Sequence, residues 1–296
     1  MLSRVLFAGF VLLAACGCRF DPIEWLKGNR EISNLVQRAR ALDPDAMFKL
    51  QERADSLGDP IAQVALGAFY DNGLGGLPRD SDKALAYFEK AQKNGFSLAA
   101  YNLGLMHYYG RGEAINPSRD KATALFQEAA SARSPIDLAM VKLGEIYESM
   151  QNYEVAAIWY QKAAETSKDA LACYRLGYYY YAGMGVPRDE SRAISWLSRA
   201  AEQWHSDAQY LLGIIYSDGQ SFSHDLTTAA KWLLISGHNN ALYNTRAGAF
   251  AATVTKLQQS SARKMATLWI EAHRNPPPTK DYEHTLWELP SRDPKS

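Results

Sequence analysis

The chain has 296 residues, of which 47% are hydrophobic and 22% charged, and its 32 basic and 32 acidic side chains cancel. That balance, with no basic tract, argues against nucleic acid as a partner and against an electrostatic hold on anionic lipid. The length exceeds what one compact core usually holds, a limit that a repeat array evades because each repeat contacts only its neighbours.

At the amino end, Arg4 precedes an apolar stretch from Val5 to Leu13, and the small residues Ala14 and Ala15 lead into Cys16. Residues 1–15 read as a secretory signal peptide whose apolar core is too short to span a bilayer as a helix. Leu13-Ala14-Ala15-Cys16 also resembles the bacterial lipobox, in which the Cys is acylated and becomes the first mature residue. Cleavage near Ala15 without lipidation, or an anchor at Cys18, are the alternatives. The expectation is therefore a periplasmic protein tethered through Cys16, with residues 16–28 as its linker. By the sorting rule of enteric-type bacteria, Gly17 after the Cys favours the outer membrane. No later segment is apolar enough to cross a membrane, which leaves the lipid as the contact with the bilayer.

Residues 29–58 are expected to form an N-terminal capping pair of helices, broken near Asp43-Pro44. From residue 59 to residue 237 one phrase returns five times: an Ala, a Leu-Gly pair four residues on, and an aromatic residue three after the Gly. The glycines are Gly67, Gly104, Gly144, Gly177 and Gly213, spaced by 37, 40, 33 and 36 residues. Such a period marks stacked supersecondary units. The preceding Ala is Ala62, Ala99, Ala139, Ala172 or Ala208, and the aromatic position holds Tyr70, His107, Tyr147, Tyr180 or Tyr216. On a helix turning 100° per residue these positions share one broad face.

A second helix in each unit carries a marker Ala at 84, 122, 156, 193 and 229. Four residues before it stands Asp80, Ser118, Asn152, Asp189 or Asp225, all residues suited to capping a helix N-terminus. Tyr87, Leu125, Trp159, Trp196 and Trp232 follow the marker by three residues. Between the helices, Gly73 and Gly75, Gly110 and Gly112, and Gly183 and Gly185 permit the positive φ of a tight turn. They follow helices rather than strands, which excludes a dinucleotide-binding loop. The third unit has no such glycines and turns through Met150-Gln151-Asn152.

Ala-x3-Leu-Gly-x2-Tyr-x2-Gly-x-Gly, followed by Asp-x2-Lys/Arg-Ala-x2-Trp/Tyr-x3-Ala-Ala, resembles the Sel1-like repeat, a relative of the tetratricopeptide repeat. The resemblance implies an all-α fold, a right-handed α/α solenoid of stacked helix-turn-helix repeats that works as an adaptor or scaffold. It also implies, for exported bacterial members, roles in envelope assembly or secretion, or as an immunity protein beside a secreted toxin. His107 and the unusual turns of units three and five depart from the pattern and affect local turn shape.

Residues 238–274 read as C-terminal capping helices, with Trp269 sealing the last repeat. Residues 275–296, with Pro276-Pro277-Pro278, read as a Pro-rich extended tail of the composition found in disordered segments, with Leu286 and Trp287 as its docking-capable groups.

Tyrosines crowd the remaining face of the first helices: Tyr101, Tyr108, Tyr109, Tyr174, Tyr178, Tyr181 and Tyr210, with Arg175, Lys142 and Glu145 among them. In this repeat class that face is concave, and Tyr and Arg are enriched at interaction hot spots. The expectation is partner binding through these residues, with Tyr101, Tyr174 and Tyr210 alternatively packing between repeats. The six His form no metal motif, and Ser118-x2-Lys121 is a helix cap rather than an acyl-enzyme site. No cofactor and no catalysis are expected. Cys173 reads as a buried thiol inside a helix, with a bridge to Cys18 as the alternative. Partners are expected to be proteins: envelope or secretion components bound by an adaptor, or a single toxin, such as a lipase, neutralised in the periplasm.

Overall fold

The computed structural model describes residues 30–112, 115–218, 223–238 and 240–273. The expected signal peptide, Cys16, its linker and the tail from 275 lie outside the described residues. Fourteen helices and no strand occur among the described residues. They fall into two bodies whose boundary, between Ala163 and Ala164, lies inside one helix.

The N-terminal body begins with the capping pair α1 (Arg30–Arg40) and α2 (Pro44–Asp55). Asp43 caps α2 by accepting from the backbone N–H groups of Asp45 and Ala46, ahead of Pro44 in the first turn. Then come α3 (Pro60–Asn72) and α4 (Ser81–Lys93), α5 (Ser97–Tyr109) and α6 (Arg119–Ser131), and α7 (Asp137–Ser149) with α8 (Tyr153–Thr166). From α1 to α7 each helix packs on its neighbours in sequence. The C-terminal body holds α9 (Ala170–Ala182), α10 (Glu190–Ala201), α11 (Ser206–Ser217), α12 (Leu226–Ser236), α13 (Ala241–Ala251) and α14 (Lys256–Ala272). There α14 packs chiefly on α12 rather than on α13. Each body is thus a stack of α/α pairs.

The five expected second-helix caps are all formed. Asp80, Ser118, Asn152, Asp189 and Asp225 accept from the N–H of Lys83, Lys121, Val155, Arg192, and Thr227 with Thr228, respectively. The phrase glycines mark where the paired helices touch. A Cβ on Gly67, Gly104, Gly144, Gly177 or Gly213 would lie 2.5–2.7 Å from Phe88, Phe126, Tyr160, Leu197 or Leu233. Real contacts are never that short, so the small residue sets the helix separation. The turn glycine Gly110 combines φ 66° with Pro117 Cγ lying 2.5 Å from where a Cβ would stand. In the third unit Gln151 adopts the same left-handed region, φ 60°, without a glycine.

Position four before the phrase glycine links consecutive helices. Gln63 and Gln209 are buried there, and their side-chain amides donate to the carbonyls of Ala54 and Ala201 near the C-terminal ends of the preceding helices. Cys173 fills the equivalent site in α9, fully buried, as read from the sequence. Burial, then the Asp169 carboxylate, pushes its thiol up to about 12. Trp269 on α14 seals the end of this body. Its ring lies 4.8 Å from that of Trp204 and 5.8 Å from that of Trp232, and stacks on His273 at 4.0 Å. The Trp204 indole donates to the His273 carbonyl at 3.0 Å, which helps hold Trp204 at φ 65°.

Candidate functional site

Each body carries its own tyrosine cluster on the first helices. In the N-terminal body, the rings of Tyr108 and Tyr109 at the end of α5 meet edge to face at 5.0 Å. Arg111, in the loop two residues past the end of α5, lies 5.4 Å from the Tyr109 ring centre and reaches back one repeat to Asp71 at 2.8 Å. Both partners of that ion pair are mostly buried, and Asp71 Oδ1 has no hydrogen-bond partner. From α7, Lys142 pairs with Glu145 at 2.7 Å on adjacent turns. Burial works against the Lys142 charge, but Glu145, with Tyr109 and Tyr101 nearby, holds the ammonium above the ordinary lysine range.

Tyr109 is 41% exposed and Tyr108 half-buried, so both offer ring surface. Tyr101 does not. It is only 5% exposed, its ring tilted against Phe126 at 5.7 Å, which corrects its assignment as a contact residue. The reason is positional: three before the phrase glycine, Val64 and Val141 are buried as well, so that position faces the interior in this body.

In the C-terminal body the same position is only half-buried. Tyr174 stacks on His205 at 4.5 Å, and Tyr210 stacks on Tyr243 at 4.5 Å with a 6° tilt. Arg246, on α13, lies over Tyr210 and donates to its hydroxyl at 3.0 Å. Tyr243 donates a short hydrogen bond to Asp207; burial first, and that bond second, raise the phenol pKa. These contacts gather Tyr174, His205, Asp207, Tyr210, Tyr243 and Arg246 along three successive first helices. The Arg175 guanidinium lies 5.8 Å from the Tyr174 ring. Tyr178 and Tyr181 are half-buried on α9, and Arg188, from the following loop, sits 5.8 Å from the Tyr181 ring.

His205 is the N-cap of α11, its Nδ1 accepting from the Ala208 N–H at 3.4 Å. An accepting Nδ1 needs the neutral ring, and burial, with Asp207 opposing, lowers its pKa to about 4.

Asp71, Arg111, His205, Asp207, Tyr243 and Arg246 were not singled out from the sequence as parts of a site. A usable signal was present. Asp71 to Arg111 is 40 residues, while Asp207 to Tyr243 and Tyr210 to Arg246 are each 36, all within the span of one repeat. Among the described residues, no group of three or more His, Cys, Asp or Glu side chains could hold a metal ion, and no helix is long and apolar enough to cross a membrane.

The arrangement is one of stacked rings bordered by paired charges, a surface chemistry suited to recognition. The Sel1 repeat family matches residues 60–96, 97–134, 137–165, 170–203 and 206–239, more than half of the chain. A chitin synthase regulator of Saccharomyces cerevisiae is 27% identical over 234 residues, covering 73% of this chain and 33% of that protein. A protective antigen of uropathogenic Escherichia coli strains, solved with an SLR fold, is 28% identical at TM-score 0.64, covering 73% of this chain and 46% of that one. A Sel1 repeat protein from Oxalobacter formigenes is 24% identical at TM-score 0.63, covering 82% and 98% of the two chains, and shares the fold. The chain spans about a third of the length of the curated regulator. Sel1 repeats are modules of protein–protein interaction, and this chain belongs to the Sel1 repeat family.

Proposed function

We propose that the protein is a non-catalytic adaptor, tethered in the bacterial periplasm through an acylated Cys16, that holds parts of an envelope or secretion assembly together. Its binding residues are the members of the two tyrosine clusters that keep some accessible surface: Tyr109, exposed, and Tyr108, half-buried, in one body, and the half-buried Tyr174, Tyr178, Tyr181, Tyr210 and Arg175 in the other. The observation that carries this reading is the placement of a Tyr ring beside an Arg guanidinium at four places on the first helices α5, α9 and α11. A large amphipathic ring gains contact area at little entropy cost, and a guanidinium beside it adds directional donors. The curated relative's name, a regulator of a synthase, fits a role that acts through another protein.

The test is photocrosslinking in cells from positions 109 and 181, with position 158 on α8, exposed and outside both clusters, as the control. Capture of the same envelope or secretion components from 109 and 181, lost when Tyr108, Tyr109, Tyr178 and Tyr181 are replaced by Ala, supports the adaptor. A single secreted enzyme captured in equimolar amount replaces it with a toxin-neutralising role. Equal capture from all three positions removes the tyrosine clusters as the binding surface. Metabolic labelling with a clickable fatty acid, abolished by Cys16→Ser, tests the anchor separately.

A further inference from the structure

The turn from α10 to α11 passes through Trp204 and His205. Their N–H groups return to α10, donating to the Ala201 and Ala200 carbonyls at 3.0 and 3.2 Å, while the His205 side chain caps α11. Trp204 is left-handed, φ 65°. There the Cβ crowds the backbone, so a bulky residue is strained where glycine is not. The same step precedes the N-caps Asp59, Phe96 and Asp169, and it is taken by Gly58, Gly95 and Lys168 at φ 65°, 73° and 53°. Lys168 is exposed, so of these four only Trp204 buries a side chain.

That side chain is held by α14 and the residue that ends it. The indole N–H donates to the His273 carbonyl at 3.0 Å, and the ring meets Trp269 at 4.8 Å, closer than His238 at 6.1 Å. A strained backbone persists only where its surroundings over-determine it. On the other side of the turn, the His205 ring stacks on Tyr174 at 4.5 Å. The two residues share a peptide bond, so Trp204 cannot leave the left-handed region without turning His205 away from Tyr174.

We propose that α14 is a latch on the C-terminal tyrosine cluster: docked, it holds Trp204 left-handed and keeps His205 stacked on Tyr174; released, it lets the turn relax and the stack part. Trp204 is thus a positioning residue for Tyr174. The functional meaning of the latch rests on the binding role proposed above for Tyr174, whereas its mechanics rest on the strained turn. Linkage is reciprocal, so a partner that grips Tyr174 in its stacked position also tightens α14.

Titration of the His205 ring, followed by NMR in the full chain, tests the mechanics. Burial holds its midpoint near 4, with Asp207 and Asp169 favouring the proton, Arg175 opposing it and Tyr174 stacked on the ring. Trp269→Ala removes the ring that Trp204 meets, and His205 should then bind its proton roughly tenfold more tightly as burial lessens. Trp204→Gly gives this turn the residue already present at Gly58 and Gly95, and in that background Trp269→Ala should no longer move the midpoint. An equal effect in both backgrounds, or none in the wild type, overturns the proposal. Trp204→Phe keeps the strain and leaves Trp269 in place but cannot donate to the His273 carbonyl. Its midpoint should rise as well, and an unchanged midpoint overturns the latch even if Trp269→Ala fails to fold. Photocrosslinking from position 181 reads the binding role separately: its failure beside the expected titrations removes that role and leaves the latch standing.

Discussion

Gly144 on α7 faces the ring of Tyr160 on α8: a Cβ added to the glycine would stand 2.5 Å from Tyr160 Cε1. The ring cannot swing clear easily, because its hydroxyl donates to Glu148 at 2.7 Å. Ala is about 1 kcal/mol better than Gly in a helix interior, but overpacking typically costs about 1–3 kcal/mol. Gly144→Ala is expected to destabilise the protein by up to roughly 2 kcal/mol net. Gly248 on α13 has nothing within 4 Å of its added Cβ. There the same substitution should stabilise by about 0.5–1 kcal/mol. Urea unfolding of the two variants checks the opposite signs.

The Asp71–Arg111 pair ties two repeats together from mostly buried positions. Arg111→Ala strands the Asp71 carboxylate, whose second oxygen already lacks a partner. Breaking such a pair from one side costs about 3 kcal/mol. Asp71→Asn/Arg111→Ala should recover part of that loss, since no charge then remains buried. A double-mutant cycle by thermal unfolding measures the coupling, and strictly additive losses would show that the pair contributes nothing.

His205 makes stability depend on pH. Its folded pKa of about 4 lies below the ordinary 6.5, so the unfolded chain takes up the proton first as pH falls. The full stability is present above pH 6.5 and declines between 6.5 and 4, by up to about 3 kcal/mol. Around the ring, Tyr174 is stacked on it, Asp207 and Asp169 favour the proton, and Arg175 opposes it. His205→Asn keeps a capping oxygen and cannot titrate. Denaturant midpoints from pH 7 to pH 4 should fall more steeply in the wild type than in this variant.

Cys173 should be chemically silent in the folded protein. It is fully buried, and burial holds its thiol near 12, so almost no thiolate exists at neutral pH. With iodoacetamide at pH 8, peptide mapping should find Cys173 unmodified in native protein and alkylated in denaturant. Rapid native labelling would show that the packing of α9 opens locally.

Burial also explains which parts of the site could be read in advance. Tyr108, Tyr109, Tyr178 and Tyr181 keep accessible ring surface because they lie four or five positions after the phrase glycine, or one, near helix ends. The position three before it changes character between bodies, buried at Tyr101 and half-buried at Tyr174 and Tyr210. Period alone gives those three tyrosines the same place. The difference comes from what each ring meets: Phe126 in one case, and His205 or Tyr243 in the others.

By itself the sequence determined the repeat number, the helix pairs, the five caps and the tight turns. Those features depend on local conformational preference and a 3.6-residue period, both written within a few turns of chain. Only the tertiary structure decided that α14 turns to α12, that Asp71 reaches Arg111, and that His205 stays neutral as a cap. These depend on packing between residues distant in sequence, where burial sets the cost of each charge and the shape available to each ring.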